Sequence, residues 1–394
     1  MDPYCNPYRP GAGTRPLILS GRQAEIDAVT KLYKMVKGGA PQRSIMFYGL
    51  RGVGKTVLLN EAERIAEEEG YRIEHMELSE GIDFRGEIAK AVRKLLLRAN
   101  MFERAKDFGI SALRVLKAFT VGIPDGPEFR FDVDAALGQA DSGDLKSDLT
   151  DLFVALGEAA RSSGTPVGLL IDEVQYLDDA GLAGLIAASH RISQKALPVV
   201  FICAGLPQIA ALSGDARSYA ERLFDFRPVE NLRRAAAAEA LVGPARERDV
   251  HFAPDAVEHI LDITEGYPYF IQEFGKHAWE QALASPITKV DAEIARFEAT
   301  KALDASFFKV RIDRATTGEK RFLAAMAEIG SGPYRIADVA AHMHKKVDQI
   351  GPARATLIRK GFVYAPQHGL IDFTVPQFDQ FARRFFDLDE PVED

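Results

Sequence analysis

Ser44-Ile45-Met46-Phe47-Tyr48 runs straight into Gly49-Leu50-Arg51-Gly52-Val53-Gly54-Lys55-Thr56, and a polar, helix-forming segment follows to Glu69. The eight residues fit G-x-x-x-x-G-K-T between an apolar strand and a helix, the context in which that pattern cradles phosphates. Glycines let backbone N–H groups curl around an anion where a Cβ would obstruct them. A helix that starts at Lys55 turns its positive dipole end toward the same place. Lys55 is expected to reach the β- and γ-phosphates, and Thr56 to offer a hydroxyl to Mg²⁺. Gly49 to Thr56, with Val57 in the first helical turn, are therefore the expected ATP-binding residues. ATP and Mg²⁺ are the expected cofactors.

Working outward, the strand candidates are Ser44–Tyr48, Tyr71–Glu77, Val167–Ile171, Val199–Ala204 and Leu223–Val229. Helical segments 55–69, 86–98, 146–161 and 180–190 separate them. Short apolar strands alternating with helices imply an α/β fold, a parallel sheet covered on both faces. The third strand ends in Asp172-Glu173. Such a strand is expected beside the phosphate loop, with Asp172 in the Mg²⁺ shell and Glu173 orienting and polarising the attacking water. The stretch from Lys55 to Asp172 is long for two core strands, and an insertion at 99–145 accounts for it. Within it, a helical piece at 105–119 leads to Thr120–Asp134, where alternation around Pro124-Asp125-Gly126-Pro127 predicts a β-hairpin.

The 394 residues are 47% hydrophobic and 27% charged, an ordinary globular composition. That length suggests two or three domains. A net charge of −8 argues against a protein that coats nucleic acid non-specifically. Cys5 and Cys203 supply neither a metal spacing nor a disulfide framework. No apolar run approaches the roughly 18 residues of a membrane span, and Met1-Asp2-Pro3-Tyr4-Cys5 lacks the basic and apolar regions of a signal peptide. A cytoplasmic location without membrane contact is expected.

Residues 1–17, rich in Pro, Gly and Tyr, read as an extended arm. Ser20-Gly21-Arg22-Gln23 fits a capping box for a helix reaching Lys37. The ATPase core is expected over 18–230 and a helical lid over 231–305. A winged helix is expected over 312–385, with helices 319–329, 336–343 and 352–360 and a wing at 362–365 and 370–373. Pro352 suits the first helical position of the third helix, and Gly361 suits the residue past its end.

Taken together, these motifs resemble the AAA+ ATPases of the origin-recognition-like or STAND-like branch, over about residues 17–385. Gly21-Arg22-Gln23-Ala24-Glu25 resembles the box that packs by the adenine. Ile171-Asp172-Glu173-Val174-Gln175 resembles the Walker B end. Gly266-Tyr267-Pro268 resembles the lid element whose proline, here Pro268, contacts the base. The resemblance implies an arginine finger at Arg222, with Arg217 and Arg227 as rivals. Many members carry a polar sensor at the tip of the fourth strand. Here that tip is apolar, Ile202-Cys203-Ala204-Gly205-Leu206-Pro207, which implies slow hydrolysis or a nucleotide switch.

Between Ala315 and Val375 eight Lys or Arg stand against five acids. Arg354, Arg359 and Lys360, on the third helix of the module, are the candidate contacts to duplex DNA. Winged helices also bind proteins. The functional expectation is thus a nucleotide-controlled switch coupled to DNA. The alternative is a signalling ATPase or slow nucleotide-binding scaffold acting through protein partners and homo-oligomerisation. His342 and His344 read as a solvated helix end rather than a metal site. Trp279 with Tyr269, Phe270 and Phe274 reads as lid core.

Overall fold

The computed structural model describes residues 1–98, 106–121, 133–209 and 223–388. They form two compact units. One comprises Arg22–Gly49 and Lys55–Pro228; the other comprises Met1–Gly21, the loop tip Leu50–Gly54 and the chain from Val229 on. The expected hairpin falls mostly on residues 122–132, outside the described residues, and its first two positions, Thr120 and Val121, are helical. Arg217 and Arg222 also lie outside them.

The first unit is built on five parallel strands: β1 (Ser44–Tyr48), β2 (Arg72–Glu77), β3 (Val167–Asp172), β4 (Val199–Gly205) and β5 (Phe224–Pro228), in the order β2-β3-β4-β1-β5. Composition explains that order. β3 and β4 are buried at every position and are apolar almost throughout, as central strands of a doubly covered sheet must be. β2 and β5 carry Arg, Glu, His and Asp and occupy the edges. β4 lies between the acidic strand and the phosphate-loop strand, pairing Ile45 with Ile202 on one side and Ile171 with Cys203 on the other.

Helices α1 (Gln23–Lys37), α2 (Lys55–Glu68), α3 (Phe84–Arg98), α4 (Lys106–Val121), α5 (Leu145–Ser163) and α6 (Asp179–Gln194) cover the sheet. Leu169, Ile171, Phe201 and Cys203 bury one face against Leu95, Leu116, Phe153 and Leu185 of α3 to α6. Their alternate neighbours Phe47, Leu170 and Ile202 are also buried, so both faces are covered. Truncating one such leucine costs about 2–5 kcal/mol.

The insertion belongs to this core. Arg85 lies over the Phe119 ring, donates to the Phe119 carbonyl at 2.9 Å and pairs with Asp148 at 3.0 Å. Asp148, only 1% exposed, also accepts from the Ser142 backbone and hydroxyl. At the start of α1, the expected cap is corrected. Arg22 occupies the N-cap position, and the Gln23 amide turns forward to Asp27 at 2.7 Å instead of back to Ser20. Gly21 has φ +69, and a Cβ there would lie 2.7 Å from Ala236, so close approach to the next helix decides that residue.

In the second unit, α7 (Arg234–Arg246), α8 (Pro254–Thr264), α9 (Pro268–Gln281) and α10 (Lys289–Ala302) form a helical bundle. The N-terminal arm lies along it. Tyr8 is 3% exposed and its hydroxyl donates to the Leu241 carbonyl, while the Trp279 indole N–H donates to the Asp2 carbonyl at 2.9 Å. A Cβ on Gly275 would meet the Tyr8 ring at 2.6 Å.

Beyond a π-helical stretch, Leu303–Phe308, come α11 (Thr317–Ile329), β6 (Tyr334–Arg335), α12 (Ile336–His342) and α13 (Val347–Arg359). They are followed by β7 (Val363–Tyr364), β8 (Leu370–Phe373) and α14 (Phe378–Phe385). The strands form a small antiparallel sheet, β6-β8-β7, whose two-residue β6 was too short to read from sequence. Pro352 is inside α13 and not at its start. The ring there forfeits its N–H bond and crowds the carbonyl one turn back, a cost of about 3 kcal/mol, and Lys346 with Gln349 caps the start of the helix. Gly361 does take a left-handed φ of +71. His342 pairs with Glu328. Among the described residues, no helix is long and apolar enough to cross a membrane.

Candidate active site

All five strands are parallel, so the loop after β1 and the acids after β3 lie along the same edge of the sheet. The loop begins where the Gly49 N–H donates to the Gly205 carbonyl at 3.2 Å, which ties it to β4. Gly52 and Gly54 have φ of +79 and +99, conformations a side chain would strain, and these turns curl the backbone before α2 begins at Lys55. Lys55 is 7% exposed, and its ammonium donates to the Gly49 carbonyl at 3.0 Å. Val53 is buried, and Val57 continues the first helical turn.

Thr56 Oγ1 donates to Asp172 Oδ2 at 2.6 Å. Although β4 separates their strands, the loop carries Thr56 across to the acid. Asp172 is 3% exposed, and its other oxygen accepts the Glu173 N–H at 2.8 Å. One carboxylate beside one hydroxyl is the donor set Mg²⁺ takes when phosphates and waters complete its octahedron. Among the described residues, no group of three or more His, Cys, Asp or Glu could hold a metal by side chains alone. Curled glycines, a buried lysine and a helix start together fit a nucleotide's phosphates. Glu173 has the left-handed φ of +56 and starts a short 3-10 turn, Val174–Tyr176.

Within the second unit, the Tyr267 hydroxyl donates to the Arg51 carbonyl, and a Cβ on Gly52 would stand 2.2 Å from that oxygen. The Arg51 N–H donates to the Thr374 carbonyl at 3.3 Å. Burial pushes the Tyr267 hydroxyl well above its ordinary pKa, so it stays protonated and able to donate. Leu50 opens this tip. Pro268 is the first residue of α9. Gly266 is there for close approach, since a Cβ would meet the Leu232 carbonyl at 2.2 Å. Tyr267 was legible only as part of the Gly266-Tyr267-Pro268 element; its reach to the loop had no sequence signal.

The remaining candidates divide. Arg227 pairs with Asp225 at 2.7 Å. Lys360 donates to Glu319 at 2.8 Å and to the Arg314 carbonyl at 3.2 Å, so it already serves the fold. Arg359 is exposed, and Arg354 is half-buried with an Nε that has no partner among the described residues. Burial raises the Cys203 thiol pKa, which removes it as a nucleophile. A depression lined by Gln42, Ser44, Ser189, Val199 and Phe201 lies at the opposite edge of the sheet and has no ionisable side chain.

Residues 19–202 match the AAA ATPase domain family. Motif, geometry and this match agree on a P-loop NTPase fold for this region. Residues 305–382 match a family described as a domain of unknown function. No curated protein matches the chain in sequence. Among solved structures, it is similar to a Walker-type ATPase of Pyrococcus abyssi at 13% identity, with 95% of this chain and 98% of that one covered and a TM-score of 0.59. It is also similar to the Orc1 protein of Aeropyrum pernix in complex with DNA, at 14% identity, 94% of each chain and a TM-score of 0.49. A third is the RuvB Holliday junction branch migration motor of Thermotoga maritima, at 17% identity, 96% and 100% coverage and a TM-score of 0.45. At these identities likeness speaks of fold, and the Pyrococcus structure carries it. The sheet order and phosphate loop of this region are those of a P-loop fold.

Proposed function

We propose that the protein binds ATP with Mg²⁺ and hydrolyses it slowly, as a nucleotide-controlled switch whose output is the C-terminal module. The observation that carries this reading is the Thr56–Asp172 hydrogen bond beside Lys55 and the curled glycines. Lys55 and the loop N–H groups hold the phosphates. Thr56 and Asp172 hold Mg²⁺, which when bound neutralises charge on the phosphates. Glu173 orients the attacking water and accepts its proton. Gly21, Arg22 and Pro268 stand as the base-side residues and Arg222 as the arginine finger, all four resting on resemblance alone.

The helices α11 to α13 followed by the β7–β8 hairpin support the reading of the C-terminal module as a winged helix over about 312–385. In the first version of the output, Arg354 and Arg359 contact duplex DNA. A second version, contact with a protein partner or another copy, is favoured by two observations. Lys360 is spent on Glu319, and α10 exposes Val290, Ile294 and Phe297 on one stripe.

The test is steady-state ATP hydrolysis at moderate salt, with and without duplex DNA, together with nucleotide binding. Glu173→Gln should keep ATP binding and lower turnover about 10²- to 10⁴-fold, the usual contribution of a general base; full turnover by this variant would remove Glu173 from the mechanism. Stimulation by DNA that is lost in the Arg354→Ala, Arg359→Ala double variant supports the first output. Equal rates with and without DNA support the second.

A further inference from the structure

The Gln175 side chain joins the catalytic acid to the apolar tip of β4. Its amide N–H₂ donates to Glu173 Oε2, and its amide oxygen accepts the Leu206 N–H at 3.0 Å. The second bond fixes the orientation of the first. A backbone N–H can only donate, so the oxygen must face Leu206 and the nitrogen must face Glu173. Gly205 makes room for this. A Cβ there would stand 3.0 Å from the Gln175 amide oxygen and 2.0 Å from Ile209 Cδ1. Glu173 itself sits at the left-handed φ of +56, a conformation costly for a residue with a side chain and one that tends to mark functional turns.

From this geometry we infer that Gln175 is a positioning residue for Glu173, holding its carboxylate in one place from an anchor just past the end of β4. The turn after β4 thus contributes the Leu206 N–H where the strand's tip has no polar side chain. The inference rests on Glu173 being the base of the proposed hydrolysis.

Two variants separate positioning from mere fastening of the turn. Gln175→Glu keeps the length and the acceptor for Leu206 but replaces the donor toward Glu173 with an acceptor. Gln175→Leu loses both bonds. Each should lower kcat about tenfold to a hundredfold, the effect of losing a hydrogen bond to a charged group. KM for ATP should stay near the wild-type value. In Gln175→Glu the melting temperature should stay near wild type. Wild-type kcat in Gln175→Glu would overturn the inference, as would equal loss of nucleotide affinity and melting temperature in both variants. A wild type that binds ATP and never hydrolyses it overturns the proposed reaction instead.

Discussion

Thr56 Oγ1 and Asp172 Oδ2 are 2.6 Å apart, although the strands that present them are separated in the sheet by β4. The loop after β1 and the helix it starts bridge that gap, so the hydroxyl and the acid meet only if sheet order and loop curl are both correct. Asp172→Asn or Thr56→Val should leave the fold intact and remove most of the Mg²⁺ dependence of ATP binding. The loss should be about tenfold to a hundredfold in affinity, the scale of one charge-assisted bond. Calorimetric titration with ATP, with and without Mg²⁺, checks it. Undiminished Mg²⁺ dependence in both variants would place the metal elsewhere.

Lys55 makes a second, separable contribution. Its ammonium donates to the Gly49 carbonyl at 3.0 Å from a buried position on the first turn of α2. Replacing it with Ala loses the bond to the Gly49 carbonyl, worth about 1.5–3 kcal/mol to the fold because the donor is charged, and the whole positive charge facing the phosphates. Lys55→Ala should therefore melt within a few degrees of wild type while binding ATP at least about tenfold more weakly. Unchanged affinity would sink the phosphate-loop assignment.

The elements around these residues were legible where local chemistry decides them. β1 and the helix from Lys55 follow from an apolar run meeting glycines, and the ends of β8 fall where Leu370 and Phe373 were read. What was not legible is of two kinds, a local choice between competing partners and a contact with residues far away in the chain. The cap at Ser20 failed because Gln23 finds Asp27 on its own helix. α13 starts before Pro352 because the Lys346–Gln349 cap, and not the proline, sets where it begins. Gln175 was visible inside the acidic strand-end motif, yet its reach to Leu206 requires knowing that β4 pairs with β3. The insertion's anchorage is of the same kind, because Arg85, Phe119 and Asp148 carry no joint signature in one dimension.

That anchorage gives a stability prediction. Asp148 is buried and shared by Arg85 and Ser142. Arg85→Met removes the cation and leaves a buried carboxylate without its charge partner, a change that typically costs about 3–5 kcal/mol. The double variant Arg85→Met, Asp148→Leu removes both charges and should recover a large part of that loss. Urea denaturation of the single and double variants measures it. A single variant as stable as wild type would mean that the insertion is held by its apolar contacts alone.

The Glu319–Lys360 pair predicts a pH dependence in the C-terminal module. Burial by itself would raise the Glu319 pKa, but the Lys360 ammonium and the Thr316 N–H outweigh it and hold the carboxyl below its ordinary value of 4.5. A depressed folded-state pKa contributes stability that is fully present above the unfolded value and is lost as pH falls through the folded one. The coupling between Glu319→Gln and Lys360→Met in a double-mutant cycle should therefore be about 1–2 kcal/mol at pH 7, between the surface and buried limits for a pair with one partly exposed partner. It should fade as pH drops below the ordinary glutamate range. Denaturant midpoints of the four proteins at neutral and acid pH check this. A coupling that persists unchanged in acid would mean that packing around the lysine stem, and not its charge, joins α11 to the end of α13.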